Sequence, residues 1–540
     1  MKTIFTFITV LATVFSFGQV LETLDKNNVS LAASADGHLF NAQASAGYEV
    51  PKGSGKHLIF SQSLWFGAKD PSGQVRIAAQ RYAGDSTDFF PGPYSSNGSY
   101  DDPGYINEYI PALWKVSKAD IDAHINEYAS SGSVSNPHPT ILNWPGNGYQ
   151  ALGVSPDQAP FVDLNSDGVY DPYVGDYPAI KGCEALYIIM NDTKSAAGGT
   201  GTASLGIEIH ILMYQYASLD FLNDITFMDI RVINRGGTDL VDFVTASYTD
   251  ADLGGFNDDY MGCDPMRNVV FTYNGDLYDE DNGSLGYGEG PPAVGVMYLN
   301  DTMSHAGYFT STAVGTQSDP TTAAQYWNYM NGRWRFGDTW FFGGTGFLGS
   351  TGVTSIPTNH MFTGGYDPLN LSTGTVDPGF DWDETTNNNP AGDRRMFFTA
   401  DQGKLLAGEE LQIHQAIIYG RDSTKTSFEN VDVMLEVADL VQAFYNSGMD
   451  VCNDPFASVS SLEEELFSVF PNPTNGKFTI DIPTITSELR VEVIDVYGQI
   501  VYSSPITENE TQIDLKESSG LYFVTVIGNG SYRTTKLMLE

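Results

Sequence analysis

The run Asp163-Leu164-Asn165-Ser166-Asp167-Gly168-Val169-Tyr170-Asp171 sets side-chain oxygens at positions one, three, five and nine of a loop, around a glycine that permits a sharp turn. That is how a calcium loop of the EF-hand type begins. Val174 stands at position twelve, where a bidentate acid would close the shell, so Asp176 or a backbone carbonyl has to substitute. The other reading is a solvated Asp/Asn/Gly turn that needs no ion.

A second group of oxygens is denser. Asp250, Asp252, Asp258, Asp259, Asp264, Asp276, Asp279, Glu280 and Asp281 fall within one glycine-rich segment whose only basic residue is Arg267. If several converge, their repulsion demands a cation, and calcium takes six to eight oxygens in flexible geometry where magnesium insists on an octahedron. Carboxylates that merely point outward need none. The expected metal ligands are therefore Asp163, Asn165, Asp167, Asp171 and Asp176 in the loop and Asp250, Asp252, Asp258, Asp259 and Asp264 in the cluster, with calcium as the cofactor. A further reading takes two of these acids as a glycosidase pair, which would need a carboxyl separation of about 5 to 9.5 Å that spacing cannot reveal.

Other chemistry is thin. There is no HExxH zinc helix and no GxSxG nucleophile elbow, and Glu208 and His210 merely share one face of an expected strand. Gly344-Thr345-Gly346-Phe347-Leu348-Gly349 matches a dinucleotide fingerprint by letters but lacks the strand–helix unit around it. Trp327, Tyr329, Trp334, Trp340 and Phe342 offer either flat platforms for sugar rings or a private core for their own segment. No catalytic residue emerges.

Composition narrows the partners. Against 67 acidic residues stand 26 basic ones, a net charge of −41 that repels phosphate backbones and argues against nucleic acid. Three cysteines, Cys183, Cys263 and Cys452, allow at most one internal disulfide, and spacing does not choose the pair.

The elements that must position these groups read as mainly β. Residues 19–180 form a β-rich N-terminal region of short apolar bursts between turn signals, interrupted by one helix that starts at Ser117 and carries Ile121, Ile125 and Tyr128 on one face. Residues 181–452 form a central β-sandwich. Its strands over 206–214, 225–234 and 240–244 alternate or run apolar, and two more over 395–398 and 411–418 arrive only after a long loop-rich insertion from about 250 to 393. A helix over about 428–447 then packs on it, with Val431, Met434, Ala438 and Val441 in one stripe. Residues 453–465 turn to Ser and Glu and read as a linker.

Both ends carry an itinerary. Lys2, the apolar run from Ile4 to Phe17 and the small residues Ser16 and Gly18 lay out a signal peptide over 1–18, too short for the roughly 20 residues of a membrane span. No later segment is apolar enough to cross a membrane. At the other end, Phe478, Ile480 and Ile482, then Leu489, Val491 and Val493, then Tyr522, Val524 and Val526 alternate as in the strands of a small Ig-like β-sandwich. The strings Phe470-Pro471-Asn472-Pro473-Thr474-Asn475-Gly476, Val493-Ile494-Asp495-Val496-Tyr497-Gly498 and Ser519-Gly520-Leu521-Tyr522-Phe523-Val524, closing on Lys536-Leu537-Met538-Leu539-Glu540, resemble the type A C-terminal sorting domain of the type IX secretion system, over residues 466–540. The resemblance implies docking of that segment in the translocon, and a secreted or outer-membrane-surface location reached through the periplasm. In the body, Tyr48-Glu49-Val50-Pro51-Lys52-Gly53, Asp88-Phe89-Phe90-Pro91-Gly92-Pro93, Asp258-Asp259-Tyr260-Met261-Gly262-Cys263-Asp264 and Gly392-Asp393-Arg394-Arg395 resemble a large group of type IX cargo proteins, a likeness that brings no catalytic residues with it. The expectation is an exported, calcium-stabilised, β-rich protein serving adhesion or glycan contact. The competing expectation is a secreted hydrolase acting on polysaccharide, its cleft between the sandwich and the insertion.

Overall fold

The computed structural model describes residues 21–42, 45–82, 87–110, 113–194, 198–311, 315–371, 374–375, 377–449, 452, 467–482, 489–495, 500–528 and 531–539. The signal peptide expected over 1–18 and the linker expected over 453–465 lie outside them. The chain is mainly β, with far more strand than helix, and divides into two compact units, Met1–Ala457 and Ser458–Glu540.

The strands that matter in the first unit are β1 (Ser61–Lys69), β2 (Val75–Ala78), β3 (Trp114–Ser117), β4 (Glu184–Asn191), β5 (Ile207–Gln215), β6 (Thr226–Asn234), β7 (Leu240–Asp250), β8 (Asp259–Asp264), β9 (Val269–Asn274), β10 (Ala293–Tyr298), β11 (His305–Thr310), β12 (Arg394–Leu405) and β13 (Glu410–Gly420). They form a large sheet in the order β3-β4-β5-β6-β13-β10-β9-β8, with Phe90–Pro91 also paired to β4, and a small sheet in the order β11-β12-β7-β1-β2. These pairings are antiparallel.

Successive residues on a strand face opposite ways, so the run Phe397-Phe398 shows how the layers stack. Phe398 meets Tyr298 of the large sheet at 4.3 Å between ring centroids, while Phe397 meets Tyr329 at 5.4 Å and Trp340 at 5.9 Å on the other side. The small sheet is therefore buried on both faces, by the large sheet and by the insertion. The large sheet is too. Ile209 and Ile211 of β5 face the inter-sheet core, whereas Leu212 and Tyr214 join a second core with Ile121 of helix α1 (Lys118–Ser131). The same core takes Met434, Ala438 and Val441 from a long later helix. Burial on both faces explains why all nine residues of β5 are buried and why it reads as an apolar run rather than a clean alternation.

Strand pairing ties these regions together. The N-terminal region does not stand apart, because β1 pairs with β7 and β3 with β4 across long stretches of chain. The insertion is loop-rich but not loop alone, since it supplies β8, β9 and β10 to the large sheet and β11 to the small one. Its aromatics are core. Tyr329, Trp334 and Trp340 are enclosed, around helix α2 (Ala323–Met330), so they cannot serve as sugar platforms. The later helix, α3 (Ser427–Asn446), begins with a reciprocal cap in which Thr426 and Glu429 each bond the other's backbone N–H. A disulfide joins Cys183, just before β4, to Cys452, just beyond α3.

The second unit is a separate β-sandwich. Strands β14 (Ser468–Phe470), β15 (Lys477–Asp481) and β18 (Glu510–Asp514) make one sheet; β16 (Leu489–Asp495), β17 (Ile500–Ile506), β19 (Gly520–Gly528) and β20 (Ser531–Leu539) make the other. Phe478, Ile480, Val491, Val493, Val524 and Leu537 close its own core. Among the described residues, no helix is long and apolar enough to cross a membrane.

Candidate functional site

The pairing of β7 with β12 sets Asp250 opposite Arg395, and so brings the beginning and the end of the insertion together. Asp250 ends β7, Asp252 lies two residues on, and Asp393 precedes β12. One carboxylate oxygen from each lies within 4.8 Å of the others. Asp250 is 2 % exposed. Its Oδ2 accepts a hydrogen bond from the Tyr82 hydroxyl at 2.7 Å and faces the Arg395 Nε at 3.5 Å, while its enclosed Oδ1 has no hydrogen-bond donor. The Arg395 guanidinium also lies 2.9 Å from Asp393 Oδ1 and 3.8 Å from Asp319, and Asp319 is itself 3.0 Å from Arg81. Burial pushes the Asp250 carboxyl up to about 7 against the pull of Arg395. Burial, then the charges of Asp250 and Asp393, pushes Asp252 up to about 8.

A second trio, Asp258, Asp276 and Glu280, also brings oxygens within 4.8 Å, but Asp276 and Glu280 are exposed. Asp259, beside Asp258, is fully enclosed. One of its oxygens accepts from the Leu253 N–H at 3.3 Å, the other has no donor, and burial drives its carboxyl well above the usual range. Asp264 goes elsewhere. Its Oδ1 accepts the backbone N–H of Met266 and Arg267, and its Oδ2 takes the Arg267 guanidinium at 2.7 Å, which makes it a turn and an ion pair.

The 163–176 loop is the turn of a two-stranded ribbon, Phe161–Val162 with Tyr177–Pro178. Gly168 takes a positive φ of 76°, as the sharp turn requires. Asp163 accepts from the backbone N–H of Ser166 and Gly168, Asn165 from Asp167, Asp167 from Val169, and Asp171 from Tyr173. Asp176, the candidate for position twelve, is buried, its two oxygens accepting from the backbone N–H groups of Leu164 and Asp171. Among the described residues, Asp163, Asp167, Asp171 and Asp176 do not supply a trio of carboxylate oxygens as tight as the two above.

A cleft of about 490 Å³ opens between β8, β9, α3 and the segments 362–366 and 383–386. Phe271, Tyr273, Phe362, Tyr366 and Phe428 wall it, and Asp264, Arg267, Asp383, Thr385, Thr386 and Asp432 give it polar groups. Phe428 shows most ring, at 36 % exposed. Arg267 is committed to Asp264 and to Asp439, so the free charge facing the cleft is acidic. Glu208 and His210, by contrast, form an enclosed clamp: Glu208 Oε1 lies 3.0 Å from His210 Nε2 and 2.8 Å from Arg235, and His210 Nδ1 meets the Tyr187 hydroxyl at 2.7 Å.

Sequence reasoning missed Asp393, because only strand register brings it to Asp250. It also missed Tyr366 and Phe428, lone aromatics on separate segments. The string Gly392-Asp393-Arg394-Arg395 was the available signal, an acid next to two cations at the edge of a strand.

Residues 468–540 match the family model of the secretion system C-terminal sorting domain. The chain carries a type IX sorting domain. It is a type IX cargo protein, exported to the cell surface or secreted. The ulvan lyase NLR42 of Nonlabens ulvanivorans is 34% identical over 86 residues, 15% of this chain, which spans only 16% of that protein. Among solved structures, a polysaccharide lyase aligns over 62% of this chain and 34% of its own at 9% identity, with a TM-score of 0.19. PorZ, a surface component of the type IX system of Porphyromonas gingivalis, aligns over 95% of this chain and 74% of its own at 11% identity and a TM-score of 0.13. Superpositions that loose assign neither fold nor activity to the sorted body.

Proposed function

We propose that the exported body is an adhesion module that contacts glycans through the cleft between α3 and the β8–β9 hairpin, and that calcium stabilises it. The cleft carries the reading. Its size suits one or two sugar rings, aromatic walls offer apolar faces to C–H groups, and Asp383, Thr385 and Thr386 offer hydrogen bonds to hydroxyls. The converging acids sit in the enclosed neck of the insertion instead of in this cleft, which favours contact over hydrolysis. Calcium fits the neck's all-oxygen donors, which come from a strand end and two loops and form no octahedron by themselves.

Glycan-array binding by the secreted protein tests this. Phe428→Ala with Tyr366→Ala should weaken the best binder at least tenfold, about 1.4 kcal/mol. No retained glycan, or equal retention by the double variant, would sink the proposal.

A further inference from the structure

We infer that Asp250, Asp252 and Asp393 hold one divalent cation, calcium by donor chemistry, and that this ion latches the neck of the 250–393 insertion. The inference rests on the calcium reading above and gives it a place and a task. Three carboxylates meet there, drawn from the two ends of the insertion, with oxygens within 4.8 Å of one another. Among the described residues, Arg395 is the one cation bonded to them, and Asp319 shares it while pairing with Arg81. Once ionised, the three carboxylates carry two negative charges more than Arg395 neutralises, which is the charge of one divalent ion.

A gathering of acids alone would not identify a site. The second observation is the Asp250 Oδ1 atom, enclosed with its residue and without a donor. Two other enclosed aspartates are satisfied at both oxygens, Asp192 by the N–H groups of Leu205, Gly206 and Ile207 and Asp176 by those of Leu164 and Asp171, while enclosed Asp259 also keeps one oxygen without a donor. A buried anionic oxygen with nothing to accept is costly, and an ion between it, Asp252 and Asp393 supplies the missing partner. The exposed trio Asp258, Asp276 and Glu280 has no enclosed, unpartnered oxygen of its own and needs no ion.

Because the ligands belong to the departing and returning chain, the ion should hold the insertion's base shut. Calorimetric titration of the EGTA-treated, dialysed secreted protein with calcium, alongside chymotrypsin cleavage within 250–393, tests this. The wild type should bind an ion that slows cleavage. Asp252→Asn and Asp393→Asn should each weaken that binding at least tenfold and lose the protection, while Asp276→Asn keeps both. In EGTA, Asp252→Asn should melt no lower than the wild type, since it removes a repelling charge. If Asp393→Asn fails to fold, the half-buried Asp252→Asn decides alone. Undiminished binding and protection in the variants would overturn the latch and leave the calcium reading standing. A wild type that binds no calcium would remove both.

Discussion

Glu384 is fully enclosed, and its charge is held by the neighbour of the inferred latch. Arg394 donates from Nε and Nη2 to the Glu384 carboxylate at 3.0 and 2.8 Å, and the Met261 N–H donates to Oε1 at 2.9 Å. The pair joins β12 to β8. Removing one partner of a buried ion pair strands the other charge, at a cost of about 3–5 kcal/mol, whereas removing both charges is far milder. Arg394→Met should therefore lose stability on that scale in urea unfolding at saturating calcium, and adding Glu384→Gln should restore most of it. A double variant as unstable as the single one would show that packing, not charge, is at stake. At this scale the sequence was half legible. The acids were visible as a dense run, and Asp250 and Asp252 do converge, but Asp264 is spent on its own turn and on Arg267. Local spacing reports which residues are near in the chain; a ligand set closed by strand register needs the register.

Elements were legible where burial is one-sided or a cap is local. Ser117 caps α1 through the Asp120 N–H, and Thr426 with Glu429 starts α3. The strands of the insertion were not legible. β8, β9, β10 and β11 are six residues each, and β8, β10 and β11 carry a glycine where a strand would be expected to carry a branched side chain. Those glycines are there for the rings above them: a Cβ at Gly262 would come within 2.5 Å of the Phe271 ring, and one at Gly307 within 2.5 Å of Trp340. The disulfide was beyond reach for a similar reason. Cys263 is enclosed in the inter-sheet core, donating to the Met361 carbonyl, which leaves Cys183 and Cys452 to meet across 269 residues. A cross-link over so long a loop removes much unfolded-state freedom, so reducing it should cost about 2–5 kcal/mol. Thermal melts with and without reductant read this, and the paired change Cys183→Ala with Cys452→Ala should match the reduced wild type. An unchanged melting temperature would mean that α3 holds this end of the body without the bridge.

For the whole molecule the decisive point is that each unit closes its own core. The sorting domain buries Phe478, Ile480, Val491, Val493, Val524 and Leu537 among themselves, and the body fills two large clusters from residues before 450. Export and folding should then separate cleanly. Deleting residues 467–540 removes the sorting signal without taking a core side chain from the body, so the truncated protein should fold with an unchanged melting temperature and stay in the periplasm. Cell fractionation with an antibody to the body, and a melt of the purified truncation, read the two halves of this expectation. Normal release of the truncated chain would contradict the role of the tail. A truncated body that no longer melts cooperatively would contradict the independence of the two cores, and with it the picture of a self-folding cargo carrying a detachable export signal.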